Sequence, residues 1–349
     1  MSKVAVGMSG GVDSSVAAAL LLEQGYTVKG VTMRFPSGMG PVGVAEKAAQ
    51  VAEKLGIPHQ VIDVGEAFRT RVIDYFVREY SQGRTPNPCL ACNTYIKFGA
   101  LWAQVRRMGI RRLATGHYVR REWHPGRSRY LLRRGADAGK DQSYVLYGLS
   151  QSQLAGALFP LGELSKTEVR RLAATLALPV QASESQEICF VKGDYREFLQ
   201  KIAPGIAQPG PILDMAGNEL GTHRGLSFYT IGQRRGLGLA AGQPLYVVGL
   251  DAGQNAVIVG PAKDLLQDAL IARDVNWILF QDLTGTCHVQ AQIRYNGRPA
   301  GAKVSRLDAE RVLVKFEQPQ RAITPGQAVV FYQGDLVVGG GVIDVVGEA

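Results

Sequence analysis

The chain has 349 residues, enough for roughly two or three domains and at least one sizeable core. Hydrophobic residues make up 46% and charged residues 20%, which is ordinary globular composition and excludes a collagen-like or disordered chain. The apolar run over residues 16–22 is too short to span a bilayer and follows polar residues, unlike the core of a signal peptide. We therefore expect a soluble, cytoplasmic protein that is not inserted in a membrane.

The positive charge is concentrated in one segment. The net charge is +9, and residues 101–135 hold ten arginines against one acidic residue, Glu122. Arginine side chains match the geometry of phosphate groups and release counterions on binding, so the segment predicts a contact surface for a phosphate backbone. A solvated basic face without a partner is the alternative. The ten residues are Arg106, Arg107, Arg111, Arg112, Arg120, Arg121, Arg127, Arg129, Arg133 and Arg134.

The first half of the chain alternates β-branched runs with helical patterns, which predicts a parallel sheet with crossover helices. Predicted strands cover residues 3–7, 26–33, 58–64 and 112–116. Predicted helices cover residues 14–24, 44–55, 67–80 and 95–108, and a later helix begins with a capping box of Ser165 and Glu168 and runs to Ala177. Residues 82–93 contain two prolines and are predicted to be a loop.

After about Pro204 the pattern changes to short alternating strands separated by turns. These strands are predicted over residues 246–249, 256–260, 287–295, 311–316 and 328–331. The fold class we expect is α/β: a doubly wound parallel sheet, a small linker domain and a C-terminal β-barrel. The corresponding domains cover residues 1–203, 204–261 and 262–349.

The first predicted strand runs into the turn Met8-Ser9-Gly10-Gly11-Val12-Asp13-Ser14-Ser15 and then a helix. The glycines allow close backbone approach to an anion, and the helix start supplies N–H groups and a positive dipole end, so the turn predicts a phosphate site. No lysine follows the glycines, which argues against a P-loop, and the G-x-G-x-x-G spacing of dinucleotide binders is also missing. The alternative is a helix capped by Asp13 or Ser14 without any ligand.

This turn resembles the pyrophosphate loop of the N-type ATP pyrophosphatases, which are adenine nucleotide alpha hydrolase-like enzymes. The resemblance implies cleavage of ATP between the α and β phosphates and adenylation of a carbonyl oxygen.

Four cysteines, Cys89, Cys92, Cys189 and Cys287, are too few for a disulfide scaffold and are expected to be reduced. They offer a nucleophile for an adenylated carbon. Cys189 lies between Ile188 and Phe190 and has the alternative of being a small buried hydrophobe. Cys89 and Cys92 form a C-x-x-C pair that is also a zinc half-site, which Cys189, Cys287 or a histidine would have to complete.

Several blocks together resemble the tRNA-specific 2-thiouridylases, in order over almost the whole chain. The blocks are Gly83-Arg84-Thr85-Pro86-Asn87-Pro88, Cys92-Asn93, Ile96-Lys97-Phe98, Ala114-Thr115-Gly116-His117-Tyr118, Lys140-Asp141-Gln142-Ser143-Tyr144, Ser185-Gln186-Glu187-Ile188-Cys189-Phe190, Gly232-Gln233-Arg234-Arg235-Gly236-Leu237 and Arg294-Tyr295. The resemblance implies ATP- and Mg²⁺-dependent 2-thiolation of the wobble uridine, position 34 of tRNA, with sulfur supplied by a cysteine desulfurase or a sulfur-relay protein.

The resemblance also implies a role for individual residues. Cys189 would carry the sulfur as a persulfide, and Cys92 would be the second thiol, the nucleophile that closes a disulfide with Cys189. Basic surroundings from the arginine-rich segment are expected to lower the thiol pKa values. The implied ATP-binding residues are Gly7, Met8, Ser9, Gly10, Gly11, Val12, Asp13, Ser14, Met33 and Gly116. The implied tRNA-binding residues are Asn87, Pro88, Cys89, His117, Lys140, Asp141, Gln142, Arg294, Tyr295 and Gln327.

Cys89 departs from the pattern, because many members of the family carry Asp there. Cys89, Cys92 and Cys189 also resemble the three-cysteine set that holds a [4Fe-4S] cluster in some related tRNA thiolases, so a cluster mechanism stays open beside the persulfide route. Two other function classes remain: an ATP pyrophosphatase that acts on a small metabolite, and a non-catalytic RNA-binding module.

Overall fold

A five-stranded parallel sheet organises the first half of the chain in the computed structural model, which describes residues 2–40, 43–180, 188–191, 193–240 and 242–347. The strand order is β3-β2-β1-β4-β7, and neighbouring strands pair in parallel. The strands are β1 (Lys3–Gly7), β2 (Thr27–Arg34), β3 (His59–Asp63), β4 (Arg112–Ala114) and β7 (Ala157–Leu158). Because β1 has β2 on one side and β4 on the other, the chain order reverses there and leaves a crevice at their carboxyl ends.

Helices cover both faces of this sheet, as the doubly wound prediction requires. Val4 and Val6 are fully buried against α1 (Val12–Glu23) and α2 (Val44–Lys54), whereas Ala5 faces a second core. Two longer helices form that second core. One consists of α3 (Gly65–Phe68), a π-helical segment (Arg69–Ile73) and α4 (Asp74–Ser81); the other consists of α5 (Pro88–Ala91), a π-helical segment (Cys92–Leu101) and α6 (Trp102–Arg107).

The loop prediction for residues 82–93 is wrong from Pro88 onward. Pro88 occupies the first turn of α5, where its missing N–H is not needed and its fixed φ suits a helix. The Asn87 side chain caps this helix by accepting a hydrogen bond of 3.1 Å from the N–H of Cys89. Proline and asparagine together therefore start the helix that carries Cys89 and Cys92.

Three further helices complete the first part of the structure: α7 (Gln151–Gly156), α8 (Lys166–Thr175) and α9 (Tyr195–Ile202). The predicted capping box of Ser165 and Glu168 is present at the start of α8. The helix ends before the predicted Ala177, because that residue adopts a left-handed conformation with φ of 46°. Short 3-10 turns lie at Pro125–Arg127, Ser143–Val145, Leu226–Phe228 and Ala262–Leu265.

The middle of the chain forms a separate four-stranded sheet with its own small core. Its order is β10-β11-β8-β9, and Val247 and Val257 are fully buried in it. The strands are β8 (Gly210–Leu213), β9 (Glu219–His223), β10 (Tyr246–Asp251) and β11 (Ala256–Gly260).

Six strands at the C-terminal end close into a barrel, which confirms the predicted β-barrel. The order is β12-β15-β14-β13-β16-β17, and β12 also pairs with β17. The strands are β12 (Leu266–Trp277), β13 (Thr286–Gln292), β14 (Ala300–Arg306), β15 (Arg311–Arg321), β16 (Ala328–Gln333) and β17 (Leu336–Val346). A hairpin from the first half, β5 (Val119–His124) and β6 (Arg129–Arg134), extends this sheet beside β17.

The strand predicted over residues 287–295 ends early, at Gln292. The Gln292 side-chain amide donates hydrogen bonds to the carbonyls of Arg294 at 3.0 Å and Tyr295 at 2.8 Å. This turn places Tyr295 in the crevice region described below. The domain boundaries at residues 203 and 261 stay predictions. Within the described residues, none of the helices combines the length and apolar character that a bilayer crossing requires.

Candidate active site

The turn between β1 and α1 is the loop predicted to hold phosphate. The Met8 N–H donates to the carbonyl of Val31 at 2.8 Å, and the Met8 carbonyl accepts from the Thr32 hydroxyl at 2.8 Å. Gly10 has φ of +68°, and a Cβ at this residue would lie 2.5 Å from the Cβ of Lys47. Only glycine fits this turn, because it needs both a left-handed backbone and close packing on α2.

The N-terminus of α1 carries no side-chain cap. Gly11 is the N-cap residue, and the Ser15 N–H makes a bond of 3.2 Å to its carbonyl. The Ser14 hydroxyl accepts from the Ser9 N–H at 3.1 Å and donates to the Gly11 carbonyl at 3.2 Å. The interpretation of the turn as a helix cap by Asp13 or Ser14 is therefore wrong. N–H groups at such a helix start bind anions.

Asp13 turns away from the helix start towards Lys166 and Tyr118. The Lys166 ammonium donates to both carboxylate oxygens, at 2.7 and 2.8 Å, and the Tyr118 hydroxyl donates to one of them at 2.7 Å. Lys166 is buried at the start of α8. Lys166 could not be predicted from the sequence, because this contact joins residues 153 positions apart and leaves no local signal.

Gly116, just beyond β4, packs directly on the phosphate-type loop. A Cβ at Gly116 would lie 2.7 Å from the backbone carbon of Asp13 and 2.8 Å from the backbone nitrogen of Ser14. Glycine at this position lets the ends of β1 and β4 approach each other across the crevice.

The crevice is a cavity of about 1080 Å³ that brings together most of the predicted nucleotide and tRNA residues. The predicted residues on its wall are Gly7, Met8, Ser9, Gly11, Val12, Asp13, Ser14, Met33, Gly116, His117, Lys140, Asp141, Gln142 and Tyr295. Described residues that we predicted but that lie outside this lining are Gly10, Asn87, Pro88, Cys89, Cys92, Cys189, Arg294 and Gln327. Lining residues that the sequence analysis did not assign include Lys97, Thr115, Tyr118, Arg134, Lys166, Arg170 and Asn296.

His117 is buried in the cavity wall between Lys97 and Thr115. The Lys97 ammonium donates to Nε2 at 3.3 Å, so Nδ1 carries the proton and donates to the Thr115 hydroxyl at 2.7 Å. Burial, helped by the Lys97 charge, holds the pKa of His117 well below its usual value. His117 is therefore a neutral histidine with a fixed tautomer.

Asp141 and Gln142 shape the wall through bonds to the protein. The Asp141 carboxylate accepts from Arg134 at 3.0 Å and from the N–H and hydroxyl of Ser143 at 3.0 and 2.8 Å. The Gln142 side-chain oxygen accepts from the Tyr118 N–H at 3.0 Å. These bonds fix the backbone of the segment that presents Lys140 to the cavity.

The three cysteines lie beside the cavity, next to Lys97. Lys97 acts electrostatically on the thiols of Cys89, Cys92 and Cys189, and Cys189 and Cys89 act on Cys92. Cys92 is half-buried, whereas Cys89 and Cys189 are exposed. The alternative of Cys189 as a buried small hydrophobe is wrong. The buried Phe190 beside it anchors the segment instead. Residues 185–187 of the same motif lie outside the described residues.

The expected lowering of the thiol pKa values is wrong. Burial raises the pKa of Cys92 to about 12, although the Lys97 charge acts in the opposite direction. The protein atoms around Cys89 and Cys189 also exclude part of the water from these thiols, although both residues are exposed, and this raises the pKa of each. The cation beside the thiols is thus Lys97 and not the arginine-rich segment.

Most of the arginine-rich segment serves the protein itself. Arg120 and Arg133 donate to Asp335 of the barrel at 2.8 and 2.7 Å, and Arg129 donates to the Ile278 carbonyl at 3.0 Å. The arginines with partners inside the protein are Arg112, Arg120, Arg121, Arg129, Arg133 and Arg134. A basic face without any partner is therefore wrong for these six, whereas a phosphate contact stays a prediction, because Arg112 is exposed and Arg134 lines the cavity. Arg106, Arg107, Arg111 and Arg127 are exposed, and their role stays a prediction.

The remaining predicted tRNA residues make contacts between parts of the chain. The Gln327 amide donates to the Thr85 carbonyl at 2.9 Å, and Arg294 donates to the Ala322 carbonyl at 2.7 Å. Asn87 caps α5, and Pro88 is buried.

The cysteines do not form a metal site as they stand. Across the described ranges of the chain, no three or more His, Cys, Asp or Glu side chains group closely enough to hold a metal ion. Neither zinc completed by Cys189 or Cys287 nor a cluster on Cys89, Cys92 and Cys189 fits this arrangement, and we derive no step through either.

Three family models match consecutive parts of the chain. They are a tRNA methyl transferase HUP domain over residues 2–193, a tRNA methyl transferase PRC-barrel domain over residues 196–261 and an aminomethyltransferase beta-barrel domain over residues 267–343. The three matches follow the order of the three sheets described above. A solved structure of the U34-tRNA thiolase NcsA from Methanococcus maripaludis with its [4Fe-4S] cluster is 20% identical in sequence, with a TM-score of 0.35. The match covers 59% of this chain and 65% of that chain.

Curated relatives are far more similar. The chain is 54% identical to the tRNA-specific 2-thiouridylase MnmA of Moorella thermoacetica, over 98% of this chain and 99% of that protein. It is 52% identical to the tRNA-specific 2-thiouridylase MnmA of Heliobacterium modesticaldum, over 97% of this chain and 92% of that protein. With identity at this level along nearly the full length, the chain belongs to the tRNA-specific 2-thiouridylase family.

Proposed function

We propose that this chain uses ATP to replace the C2 oxygen of the wobble uridine, position 34 of tRNA, with sulfur. One observation carries the proposal: a single cavity is lined both by the open start of α1 and by Lys97, the cation beside Cys89, Cys92 and Cys189. The name shared by the relatives, tRNA-specific 2-thiouridylase, supports tRNA as the substrate.

ATP would bind with its phosphates at the start of α1. The proposed contacts are the backbone N–H groups and hydroxyls of the loop, supported by the helix dipole. The ion pair of Asp13 with Lys166 would keep that carboxylate from repelling the phosphates. Mg²⁺ would enter on the triphosphate, because it binds phosphate oxygens readily and keeps several waters. The proposed ATP-binding residues are Gly7, Met8, Ser9, Gly10, Gly11, Val12, Asp13, Ser14, Met33 and Gly116.

The target uridine would enter the same cavity from the side of Tyr295. Bases of the anticodon loop are accessible without opening a duplex, and an exposed aromatic ring can stack on them. Tyr295 is 40% exposed and lies on the cavity wall. His117 and Lys140 would contact the base or its phosphate inside the cavity. At the mouth we propose Asn87, Pro88, Cys89, Asp141, Gln142, Arg294 and Gln327 as the residues that shape or contact the tRNA.

The proposed sulfur transfer needs no external oxidant, because the persulfide already carries sulfur at the oxidation level that the reaction requires. The C2 oxygen attacks the α phosphate of ATP, and pyrophosphate leaves. The terminal sulfur of a Cys189 persulfide then attacks C2, a C–S bond forms, and AMP leaves with the oxygen. The Cys92 thiolate attacks the Cys189 sulfur, so that the S–S bond to the transferred sulfur breaks and its electron pair stays on the new C2 sulfur. The products are 2-thiouridine and a Cys92–Cys189 disulfide, which a thiol reductant reopens.

Lys97 would make the Cys92 step feasible. Burial raises the pKa of Cys92 to about 12 even with the Lys97 charge beside it, so the thiol is almost wholly protonated near neutral pH and gains a thiolate only as it reacts. The Lys97 ammonium donates to His117, which is neutral because its pKa lies well below the usual value. His117 therefore does not neutralise the positive charge of Lys97. Lys97 is therefore placed to stabilise the thiolate or persulfide anion as it forms.

The sulfur would come from a protein donor, a cysteine desulfurase or a sulfur-relay protein. Cys189 is exposed, as loading by another protein requires. Because tRNA and ATP are its substrates, the proposal places the enzyme in the cytoplasm.

Reconstitution tests this function. The purified chain is incubated with ATP, Mg²⁺, unmodified tRNA, a thiol reductant and a cysteine desulfurase with cysteine. We expect 2-thiouridine at position 34 by nucleoside mass spectrometry, with AMP and pyrophosphate released. A matched tRNA with cytidine at position 34 serves as the control and should stay unmodified. ATP cleavage that depends on a small carboxylate or amine and ignores tRNA would favour the metabolite-acting class. No ATP cleavage with any tRNA would favour the RNA-binding module.

A further inference from the structure

The segment that leads into the cysteine helix is held by the C-terminal barrel. Arg84 lies eight residues before Cys92 and donates to Glu79 at 3.0 Å, to the Asp344 carboxylate at 3.0 Å and to the Ile343 carbonyl at 2.8 Å. Asp344 and Ile343 belong to β17 of the barrel. One guanidinium thus joins the end of α4 to the barrel through three different acceptors.

The charges of this contact are balanced, with Glu79 buried and the side chains of Asp344 and Arg273 23% and 33% exposed. The Glu79 side chain is 3% exposed and that of Arg84 is 15% exposed. Arg273 of β12 adds a second cation, with its side chain 3.1 Å from Asp344 and 3.7 Å from Glu79. Buried ions are held in one geometry, because a displaced partner leaves the other charge unpaired. We name Glu79, Arg84, Arg273 and Asp344 the barrel latch.

The next residues have little freedom to absorb a shift. The Thr85 N–H donates to the Pro325 carbonyl at 2.9 Å, and the Thr85 carbonyl accepts from Gln327 at 2.9 Å. Gly326 allows this close approach, since a Cβ there would lie 2.9 Å from the Thr85 nitrogen. Beyond Thr85 the chain passes directly into the cap of α5. A movement at the barrel latch is therefore transmitted to the start of the cysteine helix.

We propose that the barrel latch is a positioning element for sulfur transfer: its four residues set the place of Cys92 relative to Cys189 and do not themselves touch substrate. The inference rests on the proposed function for its activity readout. A misplacement of reacting groups by about 1 Å can cost roughly a hundredfold in rate.

Asp344→Asn tests the proposal, because it keeps the shape of the side chain and removes its charge. The matched control is Asp335→Asn, which removes the charge of another barrel carboxylate that binds the first half of the chain. Asp335 accepts from Arg120 and Arg133, and it does not contact Arg84. For each full-length variant and the wild type, we would measure the kcat of thiolation and the KM of ATP. A second assay measures the rate at which copper phenanthroline oxidises Cys92 and Cys189 to a disulfide, with the linked peptides identified by mass spectrometry.

For Asp344→Asn we expect kcat and the rate of disulfide formation to fall about tenfold or more, with the KM of ATP within about twofold. For Asp335→Asn we expect both rates to stay within about twofold. Unchanged rates in folded Asp344→Asn, or an equal loss in Asp335→Asn, would overturn the proposal. If Asp344→Asn does not fold, Arg84→Lys carries the same test, because lysine keeps the charge beside Glu79 but cannot reach three acceptors. Disulfide formation needs no tRNA, so its outcome is separate from that of the thiolation reaction.

Discussion

Lys97 is the residue whose surroundings best connect the two halves of the proposed reaction. It lines the cavity, donates to His117 and acts on the pKa of Cys92. In the sequence it is one residue of a family block without an assigned role. Its importance depends on a contact with His117, twenty positions away, and on the partial burial of Cys92, neither of which a local pattern encodes.

Lys97→Met should raise the pKa of Cys92 further, because it removes the positive charge that favours the thiolate. By the usual effect of a nearby charge on a thiol, we expect the alkylation rate at fixed pH to be about tenfold lower. The measurement is the pH dependence of Cys92 carboxamidomethylation by peptide mass spectrometry. Lys140→Met, another cation of the cavity, is the control and should leave this rate unchanged. Equal rates in wild type and Lys97→Met would contradict the assignment.

At the scale of elements, the sequence predicted the strand-turn-helix unit at the start of the chain closely. β1 has the predicted bounds, and α1 begins at Val12, two residues before the predicted start. Hydrophobic alternation and glycine punctuation determine such elements locally. The cysteine helix was mispredicted at its start, because proline is read as a helix breaker unless a capping residue before it is recognised.

Asn87→Ala tests whether the cap at that start holds α5. Loss of the bond to the Cys89 N–H should lower the free energy of unfolding by about 1 kcal/mol and speed amide exchange in residues 88–92. The control is Asp194→Ala, which removes the side-chain cap of α9. It should cost a similar free energy without affecting exchange in residues 88–92. If exchange there is unchanged in Asn87→Ala, the cap is not what orders the start of the cysteine helix.

At the scale of the whole molecule, the barrel and the first half of the chain are joined by charged contacts. The hairpin of β5 and β6 lies in the barrel sheet, and Arg129 donates to the carbonyls of Trp277 and Ile278, both at 3.0 Å. Composition could not reveal this, because an arginine that binds a distant carbonyl has the same local sequence signature as one that faces solvent. The three-part fold class followed from periodicity, but the pairing of the β5–β6 hairpin with strand β17 of the barrel did not.

Arg129→Ala should destabilise the protein by about 1–3 kcal/mol, because two barrel carbonyls lose a charged donor. Arg127→Ala is the control: Arg127 is exposed two positions earlier, and its loss should change stability by less than about 0.5 kcal/mol. Denaturant unfolding followed by circular dichroism measures both. Equal stabilities of the two variants would show that the hairpin contact contributes nothing measurable.

The central claim is that two thiols beside a nucleotide cavity transfer sulfur to a base, and the 2-thiouridine content produced by cysteine variants tests it most directly. In the reconstituted reaction, Cys92→Ser and Cys189→Ser should each abolish 2-thiouridine, while tRNA binding stays within about twofold of wild type. Cys287→Ser, in the barrel, should be fully active. Persistent 2-thiouridine in both Cys92→Ser and Cys189→Ser would contradict the account.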